Sequence, residues 1–380
     1  MNYFFTETEQ MIIDTCNQIG KKFILPTRAK YDKSGEFPVE TVQAMRDAGL
    51  FGTFIPTEYG GLGTSQMLLL LAVETLSKYC AGQPLWLAAT ALAATPIILF
   101  GNEEQKRKYL TMTAQGSIGA FGLTEPDAGS DFMGMKTTAR KTEQGYILNG
   151  GKHFITNGGS HCDYYVVFAK TSPDKGARGI SAFIIDKDAP GFSVDGHEDK
   201  VGIRSSATAS LSFNEVLVPF SNLLGQENHG MRIINDVFIE SRPGIGAQAC
   251  GCATGIYEEA IRYLKQRKQF GQPVTSFQLV QDKLVQCGIR IEAMRALMYS
   301  VARAYDKGDK VKKEAIYSKI FASQNCVEIC RELVKLVGGI GVCEDSPFPK
   351  YLRDSLITEI YEGSNGILTL AAAAQLLKEY

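Results

Sequence analysis

The residues best suited to chemistry stand far apart along the chain. Glu362 lies in Thr358-Glu359-Ile360-Tyr361-Glu362-Gly363-Ser364-Asn365-Gly366, a carboxylate behind an apolar run and just ahead of a flexible turn. So placed it is a candidate general base, with Gly363 allowing close backbone approach; alone, the same letters read as a helix ending in a Gly cap. Upstream, Phe121-Gly122-Leu123-Thr124-Glu125-Pro126-Asp127-Ala128-Gly129-Ser130-Asp131 follows a predicted strand and forms a tight turn. Its backbone N–H groups and the hydroxyls of Thr124 and Ser130 suit the polar edge of a flat heterocycle, whereas in isolation it is an ordinary Pro/Gly loop. In Arg267-Lys268-Gln269-Phe270-Gly271 the arginine offers a fork of donors that can grip phosphate. Gly338-Gly339-Ile340-Gly341 follows an apparent helix rather than a strand, so it is not a Rossmann phosphate loop.

The elements that must position these residues change character along the chain. Residues 1–117 read as helical: Ile12, Cys16, Ile19 and Phe23 recur at helical spacing before Pro26, which is expected to stop the run. Met67 to Leu76 is apolar on nearly every side and predicts a buried helix. From Ser117 the pattern turns to strands at Ile118–Leu123, Tyr146–Leu148, Tyr164–Lys170 and Ile180–Asp186, with Ala209, Leu211 and Phe213 alternating against Ser210 and Ser212. No helical pattern intervenes, which predicts a mainly antiparallel region over 118–226. Helices return over 227–380. Val280, Leu284, Cys287, Ile291, Met294, Met298, Val301 and Tyr305 keep a 4-3 spacing that predicts one long helix, entered through a cap at Ser276. The fold class is α+β, mainly α.

Composition narrows the function classes. The 380 residues carry a formal net charge of -1 with no long block of either sign, which argues against nucleic-acid binding through a general electrostatic field. Nine cysteines without Cys-x-x-Cys spacing, and four scattered histidines, read as buried thiols rather than a metal site and fit a reducing cytoplasm. The N-terminus from Met1 to Glu7 lacks the features of a signal or transit sequence. Pro84 to Gly101 is uncharged, but Thr90, Thr95 and Pro96 favour a core helix over membrane insertion.

Taken together, the Glu362, Thr124–Asp131 and Arg267–Gly271 motifs resemble the acyl-CoA dehydrogenase family of flavoproteins, in register from about Phe4 to Leu377. The resemblance implies two α-helical domains around a small antiparallel β-barrel, the C-terminal one a four-helix bundle. It implies FAD as cofactor, an acyl-CoA substrate, an electron-transfer flavoprotein as partner and a homotetramer. It assigns Phe121, Leu123, Thr124, Gly129, Ser130, Phe154, Thr156, Arg267, Phe270, Gln278, Lys335, Gly339 and Ser364 to the cofactor. It assigns Ser130, Arg242, Tyr361 and Gly363 to the substrate. Phe154 stands where many relatives have Trp, Lys335 where a Gln is usual, and Gly366 where Glu or Gln is common. Leu85 to Thr95, with its small alanines, resembles the segment that floors the acyl pocket.

Such an enzyme removes the α-proton of a thioester with a carboxylate while the β-hydrogen leaves as hydride. The resemblance makes Glu362 that base, and its N–H together with a ribityl hydroxyl of FAD the donors to the thioester oxygen. Some relatives place the base immediately before an Arg, at a position held here by Ser241. Glu240 is one residue early, about 100° round a helix, and is expected to be a structural ion pair or a surface charge. The lack of a basic residue between Cys80 and Gly101, with Gln83 near the position of a carboxylate-pairing Arg, predicts a monoacyl rather than a dicarboxylic substrate. An enoyl-CoA reductase or a non-redox acyl-CoA enzyme would share this fold, and a flavin-free binding or scaffold protein is the alternative of another class.

Overall fold

The computed structural model describes residues 3–379; Met1 and Asn2 of the leader reading lie outside them. Helix α1 (Glu7–Ile19) opens the chain with a capping box, Thr6 accepting from the Glu9 N–H and Glu9 from the Thr6 N–H. Pro26 does not stop the run. A π-helical turn, Gly20–Ile24, leads into α2 (Leu25–Ser34) and leaves Pro26 in the first turn, where its missing N–H is not needed. Helix α3 (Val39–Asp47) follows, then the two buried helices α4 (Gln66–Ser77) and α5 (Leu85–Phe100). Pro96 lies inside α5 without breaking it. Short turns α6 (Glu103–Gln105) and α7 (Thr111–Ala114) complete the helical part. Among the described residues no helix is long and apolar enough to cross a membrane.

The strands are β1 (Gly119–Gly122), β2 (Thr138–Lys141), β3 (Gly145–Thr156), β4 (Tyr164–Lys170), β5 (Ile180–Asp186), β6 (Phe192–His197), β7 (Thr208–Pro219) and β8 (Leu223–Leu224). They form one sheet in the order β6-β7-β3-β2-β4-β5-β8, with β1 added on β4. Pairing is antiparallel except at β1–β4 and the single β2–β4 pair. The expected barrel is not closed by hydrogen bonding, since β6 and β8 remain ends of the sheet. Alternation holds as expected in β7: Ala209, Leu211 and Phe213 are buried and the intervening serines are not. β2, β6 and β8 are too short or too polar to stand out in the sequence.

Helix α8 (Gly230–Gln266) crosses the molecule and packs against α4, α5 and α10 (Lys312–Leu336). A small hairpin, β9 (Lys268–Gln269) and β10 (Gln272–Pro273), leads to α9 (Gln278–Asp306), which is the predicted long helix. Its N-cap is Phe277 rather than Ser276, which ends a 3-10 turn. Helix α11 (Phe348–Ser355) packs on α8 and α10, and α12 (Asn365–Leu376) on α10. The site forms where α5, the β1 and β3 ends, α8 and the turn before α12 meet.

Candidate active site

The turn before α12 holds Glu362 at φ 53°, a left-handed conformation that costs a residue with a Cβ and persists only when its surroundings impose it. Gly363 follows at φ 100°, where an added Cβ would sit 2.9 Å from Leu368 Cδ2. Three side chains hold this turn. Buried Lys319 of α10 donates to the Gly363 carbonyl at 3.0 Å and to Asn365 Oδ1 at 2.8 Å. Ser241 of α8 donates from Oγ to Glu362 Oε2 at 2.7 Å. Arg242 points Nε at the Glu362 carbonyl, 3.5 Å away, with its guanidinium over the Phe238 ring. Tyr361 donates to Gln248 Oε1.

Burial pushes the Glu362 carboxyl above its ordinary value, opposed by the Ser241 hydrogen bond and the charges of Arg242 and Lys319. Burial likewise pulls the Lys319 ammonium down to about 8, against the attraction of Glu362 and with the repulsion of Arg242. The result is a desolvated carboxylate held by a hydroxyl and two nearby cations.

The opposite wall is the Thr124–Asp131 turn and the end of β3. Glu125 is buried and accepts from the Thr137 N–H at 3.1 Å and from Lys152 Nζ at 2.7 Å. Its own N–H and carbonyl close the turn on Ala128, and His153 N–H binds the Thr124 carbonyl at 2.8 Å. The register shift in β3 between Lys152 and Ile155 turns Phe154 out at φ 57° and leaves the residue 59 % exposed. Beyond it, buried Asn157 donates to the carbonyls of Trp86 and Gly119 and to Thr90, pinning Thr156 between α5 and β1.

Phe121, Leu123, Thr124, Gly129, Ser130, Phe154, Thr156, Arg242, Tyr361, Glu362 and Gly363 line one cleft. An exposed aromatic face beside two threonine hydroxyls, opposite a desolvated carboxylate, fits a flat heterocycle with polar edges. The remaining sequence candidates do not line it. Phe270 is 93 % exposed at the hairpin tip, Arg267 and Gln278 are exposed beside it, and Lys335 pairs with Glu332 at 3.1 Å on the surface. Gly339 lies exposed in the turn after α10, and Ser364 is the N-cap of α12.

Glu240 corrects its expectation. It is neither an ion pair nor a surface charge: it lines an inner cavity with Glu362 and binds Tyr305 OH at 2.8 Å. Glu240 and Ser241 line the same void, between α4, α5 and α8, although about 100° separates them round the helix. Gln83 also lies elsewhere, buried against Thr41 at 2.6 Å and away from both cavities. Arg242 is the only basic side chain lining either cavity among the described residues.

Sequence reasoning missed Lys319. The signal was available: it shares the apolar face of α10 with Ile316, Ala322 and Cys326, where a charge needs a partner. It also missed that Cys252 of α8 meets Cys326 and Cys330 of α10, their sulfurs within 4.8 Å of one another, because long-range helix packing brings them together.

The chain matches the families described as acyl-CoA dehydrogenase N-terminal domain over residues 6–117, middle domain over 120–216 and C-terminal domain over 228–377. It is 41 % identical to an acyl-CoA dehydrogenase of Bacillus subtilis (strain 168), covering 98 % of each chain. It superposes with a TM-score of 0.96 on butyryl-CoA dehydrogenase from Megasphaera elsdenii, 39 % identical, covering 99 % of this chain and all of that one. The same TM-score, with 42 % identity and 99 % and 100 % coverage, relates it to a chain in a structure described as the electron transferring flavoprotein of Acidaminococcus fermentans.

Proposed function

Because the chain belongs to the acyl-CoA dehydrogenase family, we propose that it oxidises an acyl-CoA thioester at Cα–Cβ with FAD as cofactor and passes the electrons to an electron-transfer flavoprotein. The observation that carries this is the placing of Glu362, strained, desolvated and tied to Ser241, across one cleft from Phe154, Thr124 and Thr156.

Bound FAD supplies the acceptor for the β-hydride. The chain's residues do the rest. Thr124, Ser130 and Thr156 offer hydroxyls to the heterocycle, and Phe154 offers a face, with Phe121, Leu123 and Gly129 completing that wall. Ser241 occupies Glu362 Oε2, which leaves Oε1 to take the α-proton. Among the described residues no group engages the Glu362 N–H, so it is available to the thioester oxygen, where developing negative charge is worth stabilising. Arg242, Tyr361 and Gly363 line the same space and flank the thioester. A substrate that expels water raises the basicity of Glu362 further.

Arg267, Phe270, Gln278, Lys335 and Gly339 we assign to the dinucleotide of FAD held across a subunit boundary in a homotetramer. The exposure of Phe270, Leu279 and Val342 supports burial of these surfaces by another copy. Ser364 adds a hydroxyl to the cofactor beside Gly363. We take 1–117, 118–226 and 227–380 as the domains, the middle one a barrel-like β domain, the last a four-helix bundle, and the enzyme as cytoplasmic.

The test is anaerobic mixing of the purified protein with butyryl-CoA, following the flavin band. Bleaching is expected. A protein that binds no FAD, or whose flavin no acyl-CoA bleaches, overturns this reading in favour of a binding protein that shares the fold.

A further inference from the structure

Beyond the cleft the acyl path continues inward. The cleft and the inner cavity share Ala88, Leu92, Ile245 and Glu362 as lining, so a chain entering past the base runs on between α4, α5 and α8. The walls of that extension are mostly apolar, with Leu69, Leu70 and Val73 on one side and Ala91 on the other. Two polar groups break the pattern. Gln66, 5 % exposed, donates from Nε2 to the Glu240 carbonyl at 2.6 Å, which fixes its amide orientation and leaves Oε1 buried with no hydrogen-bond partner. Glu240 accepts from Tyr305 OH through Oε2 and has no partner for Oε1 among the described residues. Both residues line the inner cavity.

An alkyl chain filling this space would seal the unspent Gln66 Oε1 against hydrocarbon, which is the costly half of an unmade hydrogen bond, and would cover the Glu240 carboxyl beside it. A hydroxyl at the end of the acyl group would satisfy one of them, and an ammonium both. No basic side chain lines the inner cavity, and the acidic surroundings are extended by Asp306, which caps α4 through the Gln66 and Met67 N–H groups.

We propose that Glu240 and Gln66 are specificity-determining residues that select an acyl-CoA whose far end carries a hydrogen-bond donor, a hydroxyl or an amine, over the plain alkyl thioester of the same length. The inference rests on the dehydrogenase reading above and adds the substrate class to it.

The experiment compares flavin reduction by 5-hydroxypentanoyl-CoA and 6-hydroxyhexanoyl-CoA with pentanoyl-CoA and hexanoyl-CoA, and 6-aminohexanoyl-CoA as the cationic arm. The native protein, Glu240→Leu, Glu240→Gln and Gln66→Leu are each measured as holoenzymes. The native enzyme is expected to favour a donor-bearing substrate by about tenfold or more at one length, because a site built around hydrogen bonds rejects the analogue that lacks them. Glu240→Leu should reverse that preference, while Glu240→Gln, which keeps an acceptor, should retain part of it. The hydroxyl and amine arms tell a neutral donor from a cation. Bleaching by the alkyl thioesters with no donor preference at either length, or a Glu240→Leu variant that slows both series equally, overturns the role of Glu240. A native protein that no thioester bleaches overturns the dehydrogenase reading, and this inference with it.

Discussion

Ser241 Oγ reaches Glu362 Oε2 at 2.7 Å, joining the first third of α8 to the turn that precedes α12. A serine cannot serve as the base, yet at this position it aims one. It takes up one carboxylate oxygen and steadies the charged form, while burial works in the other direction.

Glu362→Gln is expected to reduce the rate of anaerobic flavin bleaching by roughly 100-fold to 10,000-fold, the range for losing a general base. Binding of FAD and acyl-CoA should persist, since Gln keeps the size and the backbone N–H. Glu240→Gln should cost far less with a simple acyl-CoA. Rapid bleaching by Glu362→Gln would mean that another group takes the proton.

The acid limb of the pH profile for flavin reduction should lie above 4.5, the ordinary value for a glutamate, because burial disfavours the ionised form of Glu362. Ser241→Ala removes a hydrogen bond that favours that form, so its limb should move to higher pH. Activity would then be lost first on the acidic side and be least affected well above the limb. A limb that moves to lower pH contradicts this account.

Lys319→Met tests the holding of the turn. It removes the donor to the Gly363 carbonyl and Asn365 while keeping the apolar length of the side chain. Taking away a desolvated cation offsets part of the lost bonding, so the chemistry should suffer more than the fold. Flavin reduction is expected to slow by about tenfold to 100-fold, as small misplacements of a catalytic group do, with thermal unfolding little changed. Unaltered kinetics would show that the left-handed Glu362 holds its place without Lys319.

Arg267→Ala should weaken FAD retention by about tenfold, the loss of a charge-assisted hydrogen bond, although Arg267 lies outside its own chain's cleft. Gel filtration with flavin absorbance reads the loss, and light scattering should report a homotetramer. A monomer that keeps FAD tightly would refute the cross-subunit assignment.

Glutaryl-CoA should be a poor substrate, by about 100-fold or more against the best monoacyl thioester. Its distal carboxylate would meet Glu240 and the Gln66 carbonyl with no cation to pair it. Turnover equal to that best substrate would disprove the point.

What the sequence disclosed, and what it hid, follows from the range of the interactions. The Thr124 turn and the Glu362-Gly363 turn are local, so their residue types report their shape. The heptad stripe of α9 is regular over its whole length and appears as predicted. Pro26 misled because its penalty depends on whether a donor is needed at that position, which the π-helical turn before it decides. Glu240 misled because a helical angle gives a direction but not what lies there. The open ends of the sheet are equally non-local, since closure depends on strands that the sequence barely marks.

Those open ends carry a liability. A strand with one unpaired side can recruit a strand from another chain, the first step towards clumping. β8 limits the risk by being two residues long. β6 limits it at Asp195, where a register shift against β7 bends the strand and the carboxylate is tied to Ser193 and Ser212. A valine at that bend would straighten and discharge the rim, giving a protein that keeps its chemistry yet precipitates when concentrated.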